Sequence, residues 1–306
     1  MNEINIKNKL NKFIMLNISE NLLPNNYNIQ TTKLLKNNEI PEWCQDNEHI
    51  LSGYRKCEMG YSYYLKSIFK LHNETFNIWT HLLGALLFIG LTIYTFGYHI
   101  VSNYWGDFIA IGMFLFTVIF CFTASFIMHC WYPMSEEVCS CLLKADYFGI
   151  SLLILGSYGP FIYYAFYCQE NIQWIYYIIV NILGLITIIL TWLPTFHLPK
   201  YRGYRALSFS LFISSVICPI IHRIALSPKN QNDFAIELEY YILSLFFYLI
   251  GGFFFIKRYP ENNCQNNCTM HFSSHKIFHF FTVMGAISTY IGIIKTHEVS
   301  KQITCG

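Results

Sequence analysis

Charge is scarce in this sequence. Only 12% of its 306 residues are Asp, Glu, Lys or Arg, about half the share that soluble globular chains carry. That shortage argues against an ordinary soluble enzyme, and a net charge of only +2 argues against a nucleic-acid partner. Eleven cysteines are present but without the even spacing of a disulfide framework. The N-terminus, dominated by Asn, Lys and Ile, lacks the apolar core of a cleavable leader. The first membrane span is therefore expected to serve as its own insertion signal. What the chain does have is apolar surface: 54% of its residues are hydrophobic and 18% aromatic.

Those residues fall into seven long runs, at 77–100, 105–129, 142–167, 172–193, 204–222, 236–256 and 274–295. Each run has about 20 residues, enough at about 1.5 Å per residue to cross roughly 30 Å of hydrocarbon. Inside lipid a helix satisfies its own backbone, and the alternation of a membrane β-barrel is absent. The expected fold is an all-α membrane protein of seven transmembrane helices. Residues 1–38 read as a flexible Asn/Lys-rich cytosolic tail. Residues 39–76 read as a juxtamembrane amphipathic segment, 77–297 as the helical domain and 298–306 as a short C-terminal tail. Gly159-Pro160 is expected to kink the third helix, because proline lacks the N–H and crowds the preceding turn.

Sixteen of the twenty Lys and Arg residues fall on the N-terminal side of the spans and four on the other. Setting aside the five lysines far from a span leaves eleven against four. The positive-inside rule then puts the N-terminus in the cytoplasm and the C-terminus opposite, as a multi-pass protein of the plasma membrane or an endomembrane.

Ionisable side chains within spans are costly and mark function. With this topology, His129 closes the second span, Asp146 opens the third, and His275 and His279 open the seventh, all near the cytoplasmic leaflet. His275 and His279 stand four residues apart, so both imidazoles leave one helix face. Ser125 precedes His129 by the same interval. Three imidazoles with an open fourth position suit a catalytic zinc site, with Asp146 beside the metal's water rather than ligating. Packing histidines remain the competing explanation on spacing alone. His271 is expected in solvent, His81 just inside the first span and His222 at the outer end. His197 and His297 read as interfacial or loop residues. Cys139, Cys141, Cys264 and Cys268 read as free cytosolic thiols.

The run LHNETFNIWTHLLG at 71–84 resembles the opening motif of the adiponectin receptors and the wider progestin and adipoQ receptor family. SFIMH at 125–129 with DYFG at 146–149 resembles its second motif, and SHKIFH at 274–279 its third. The likeness runs from Glu42-Trp43 through the last span, including Pro219, His222 and the stretch from Arg258 to Glu261. The resemblance implies a seven-helix fold with an inside N-terminus and zinc on His129, His275 and His279. It also implies that Asp146 contacts the metal's water and that Ser125 stands beside it. Adiponectin receptors are linked to ceramide hydrolysis, other members to steroid binding or to lipid and zinc homeostasis, and bacterial relatives to the name haemolysin III. Phe76 departs from the family's glycine, while Glu74 and Asn77 are kept and are expected to support the site by hydrogen bonding at its mouth.

Two readings stay open at this point. One is an intramembrane zinc amidohydrolase acting on a ceramide-like lipid held in the bundle cavity. The other is a signalling receptor for an extracellular or lumenal ligand, with purely structural zinc. A pore is disfavoured, since charged residues deep in the spans are too few to line an aqueous path.

Overall fold

The computed structural model describes residues 33–45, 47–100, 105–193, 196, 199–226, 235–263 and 272–303. His197, His271, Cys264, Cys268 and the tail through residue 32 lie outside them. The described N-terminal segment pairs β1 (Leu35–Lys36) with β2 (Ser52–Tyr54) in an antiparallel ribbon, so ordered structure begins within the region assigned to the tail. The short helix α1 (Tyr61–Ser67) follows. The bundle comprises α2 (Thr75–Tyr94), α3 (Trp105–Trp131), α4 (Glu136–Ala165), α5 (Glu170–Trp192), α6 (Arg202–Ser214), α7 (Ile217–Leu226), α8 (Ala235–Lys257) and α9 (Ser274–Ser300). Among the described residues seven helical stretches are long and apolar enough to cross a membrane, α6 and α7 together forming one.

Helix α5 shows the pattern expected of a lipid-facing helix. In α5, Ile175, Ile178, Ile182, Ile186 and Ile189 are exposed, whereas Gly184, Thr187 and Thr191 are buried. Apolar side chains meet lipid while small and polar ones let helices approach. The most extensive pairings are α8 with α9 and α3 with α4. At the latter, a side chain on Gly156 would stand 1.9 Å from Thr117 Oγ1.

Three local features differ from the sequence reading. First, α4 begins six residues before the expected 142. Ser135 Oγ accepts from Val138 N at 3.2 Å, and Glu136 and Glu137 occupy the positive first turn, both standard starts for a helix. Second, the fifth span is broken between Ser214 and Ile217. Pro219 denies the turn before it an N–H, and Tyr158 OH donates to Phe212 O at 3.1 Å across from α4. Third, α9 runs past residue 295 to Ser300, which puts His297 inside a helix. Pro160, by contrast, sits within α4, which continues to Ala165.

Candidate metal centre

His129 is the last polar residue of α3, and His275 and His279 lie in the first two turns of α9. One nitrogen from each lies within 4.8 Å of the others, a group that could hold a metal ion. Only 2% of His129 and 1% of His279 is exposed. His129 Nδ1 donates to Glu74 Oε2 at 2.7 Å, which leaves its Nε2 as a bare lone pair. Thr80 Oγ1 spends its proton on Phe76 O at 2.8 Å, so it can only accept from His279 Nδ1, 3.4 Å away. His279 Nε2 is then bare as well. The two Nε2 atoms face each other at 3.2 Å. Two lone pairs so placed repel unless a cation lies between them. Two nitrogens at about 2.0–2.1 Å from one tetrahedral ion stand roughly 3.3 Å apart, so the spacing fits a metal.

Glu74 is more than a neighbour at the mouth. It also accepts from Asn77 Nδ2 at 2.7 Å and from Asn73 Nδ2 at 3.2 Å. Burial alone would raise its carboxyl's pKa, but the bonds and charge from His129 and His275 outweigh that and hold it well below the usual range. An ionised carboxylate behind a ligating histidine is the usual device for fixing tautomer and ring orientation. Phe76, the departure from the family motif, is 41% exposed on the outside of α2 and leaves the site alone.

Asp146 and Ser125 are buried on α4 and α3, and the Ser125 hydroxyl is directed at the Asp146 carboxylate. Both, with the three histidines, Glu74 and Asn77, line one cavity of about 400 Å³. From there the cavity passes Ile150, Leu153 and Ile154 of α4, Phe209 and Ile213 of α6, and Tyr248 of α8. At its other end it reaches Trp43, Asn47 and Tyr54 of the N-terminal segment.

That segment grips both histidine-bearing helix ends. Arg55 donates to His129 O at 2.6 Å, to Cys130 O at 2.9 Å and to Ser67 Oγ at 2.9 Å, a cationic cap on the C-terminus of α3. Glu261 accepts from Ser274 N at 2.7 Å and from Ser274 Oγ, capping α9, and is held by Asn47 Nδ2 at 3.1 Å. Sequence reasoning missed both contacts.

His81 joins the site too. Its ring stacks on His279 with centroids 3.8 Å apart. His222 does not; it bonds Tyr176 OH through Nδ1 at 2.9 Å. His297, expected at an interface or in a loop, is instead fully buried. Its Nδ1 lies 3.6 Å from Asp107 Oδ1, and both residues meet Tyr164 OH. Cys44, Cys57, Cys139 and Cys141 are free thiols, while Cys168, at the opposite end of the bundle, is disulfide-bonded.

The haemolysin III-related family model matches residues 69–290. The chain belongs to that family. It is 34% identical over 261 residues to progestin and adipoQ receptor-like protein 1 of Caenorhabditis elegans, covering 85% of this chain and 60% of the relative. It is 35% identical over 254 residues to the adiponectin receptor protein of Drosophila melanogaster, covering 83% and 57%. Heptahelical transmembrane protein 1 of Arabidopsis thaliana is 34% identical over 274 residues, covering 87% and 82%. The chain thus spans about 60% of the length of the animal relatives and most of the plant one. It is a multi-pass integral membrane protein of the adiponectin receptor-like kind.

Proposed function

We propose that this protein is a zinc-dependent hydrolase of lipid amides of the ceramide type, acting within the membrane in lipid-linked signalling or homeostasis. One observation carries the reading. Three convergent imidazoles and a buried Asp–Ser pair open into a single cavity whose far walls are apolar. Zinc at such a site polarises a carbonyl and brings the pKa of water towards neutrality. The chain's own groups supply the rest. Ile150, Leu153, Phe209 and Ile213 shelter an acyl chain. Asp146 takes the proton that water loses as its oxygen bonds the carbonyl carbon, then gives it to the nitrogen as the C–N bond breaks. Ser125 orients Asp146. The products are a fatty acid and an amine.

The proposed orientation puts the metal-bearing end in the cytoplasm. The Lys and Arg distribution supports it.

A receptor with structural zinc is the second reading. It is favoured by the way the histidines join α3 to α9 while the N-terminal segment covers the cavity mouth. Metal analysis of the purified protein beside a lipid-amide hydrolysis assay separates the two. Full zinc occupancy with turnover supports the hydrolase, and full occupancy without turnover supports the receptor.

A further inference from the structure

His81 is 3% exposed, and neither ring nitrogen has a hydrogen-bond partner among the described residues. A neutral imidazole always carries one N–H. Leaving such a donor buried and unpaired is unfavourable. The site tolerates this because His81 lines the metal cavity, where a ligand can complete it. Its ring lies nearly parallel to that of His279, at 17°, with Phe122 on it at 4.8 Å between centroids. The stack fixes the ring and holds its polar edges beside the metal group. His81 does not belong to the set of nitrogens close enough to share an ion, so it acts next to the metal rather than on it.

We propose that His81 donates a hydrogen bond to the carbonyl oxygen of the lipid amide, the oxygen that gains negative charge as water adds. This rests on the hydrolase reading above. The site needs such a donor. Glu74 is bound up with His129, and Asp146 is an acceptor suited to water's proton. Tyr248, a cavity hydroxyl near Ser244 and Thr289, stands two turns along α8 from Phe255, which packs on His275. That is roughly 10 Å from the metal group along the helix. His81 is the donor in ring contact with a metal-binding histidine.

The test uses full-length protein in lipid nanodiscs, loaded with Co²⁺ so that the visible spectrum reports the metal, and titrated with a long-chain hydroxamate. That probe binds metal through a carbonyl oxygen and needs no turnover. His81→Phe keeps the flat stacking ring and removes both nitrogens, whereas His81→Gln restores an N–H. The expected result for His81→Phe is wild-type cobalt content and an unchanged spectrum before titration, with hydroxamate binding about 10-fold weaker. His81→Gln should recover most of that affinity. Equal hydroxamate affinity in His81→Phe and wild type overturns the assignment, as does loss of cobalt from both variants, which would make His81 structural. The expected pattern in a wild type that hydrolyses no lipid amide refutes the hydrolase but leaves His81 as a carbonyl-binding residue. A wild type that takes up no cobalt removes the metal reading and this assignment together.

Discussion

The Glu74 carboxylate and the His129 imidazole are joined by a 2.7 Å hydrogen bond that spans 55 residues of sequence. It turns the Nε2 lone pair of His129 towards the other two histidines. Glu74→Ala should therefore weaken metal affinity by roughly 10–100-fold while all three histidines remain. Competition with a chelator of known affinity measures this, and Glu74→Gln, which can still accept from Nδ1, should fall between Ala and wild type.

His275 and Asp146 should separate binding from chemistry. His275→Ala is expected to lose stoichiometric metal. Asp146→Asn should keep it and lose turnover by about 10²–10⁴-fold, the usual contribution of a general base. Equal metal retention in the two purified variants would remove His275 from the ligand set.

The N-terminal segment carries a pH signature. Burial first, then the charge of Arg55, lowers the His72 pKa to about 3. Its Nδ1 accepts from Glu74 N at 3.1 Å and can do so only when unprotonated. The unfolded histidine titrates near its ordinary value of about 6.5. The contribution is therefore fully present above about 6.5 and is lost as pH falls towards 3, since only the unfolded chain binds the proton in that window. His72→Asn, whose oxygen can accept the same bond, should flatten the pH dependence of thermal stability between those limits.

Several of these groups were visible in the sequence and several were not, for physical reasons. The i, i+4 spacing of His275 and His279 and the alternation of spans were enough to bring them to one end with His129, because helix geometry is local. The start of α4 was signalled by Ser135-Glu136-Glu137 but was placed at 142, because the apolar run that marks the span begins only there. The grip of Arg55 on the His129 carbonyl and of Asn47 on Glu261, 214 residues apart, depends on tertiary contacts that no spacing encodes. The break after Ser214 was half visible. Pro219 announces it, but Tyr158 comes from another helix. His297 was misread because an ionisable residue beyond Lys295 looked solvated, whereas Asp107 and Tyr164 offer it partners inside the bundle.

Arg55→Ala should cost about 2–3 kcal/mol, the worth of a charge-assisted buried hydrogen bond and the penalty of orphaned carbonyls. Thermal melts of the metal-free protein read the loss directly. Arg55→Lys should recover only part of it, because one ammonium cannot reproduce the guanidinium's simultaneous reach to His129 O, Cys130 O and Ser67 Oγ.

Gly156→Ala should destabilise the α3–α4 pair by about 1–3 kcal/mol through overpacking. The added methyl would stand 1.9 Å from Thr117 Oγ1 and 2.8 Å from Thr117 Cβ, and a β-branched neighbour has little rotamer freedom with which to give way. Gly90, where an added methyl meets nothing within 4 Å, is the matched control. Gly90→Ala should unfold like wild type in the same denaturation series.

Because Arg55 holds the end of α3 and Asn47 holds the cap of α9, the N-terminal segment and a metal held as proposed would act on the same two helix ends. Their equilibria are then coupled, and coupling free energy is reciprocal. A protein or antibody that peels this segment away should lower metal affinity by some factor, and metal should lower that binder's affinity by the same factor. Under the proposed metal reading, occupancy of the buried site would become readable from the water-facing surface, without the ion leaving it.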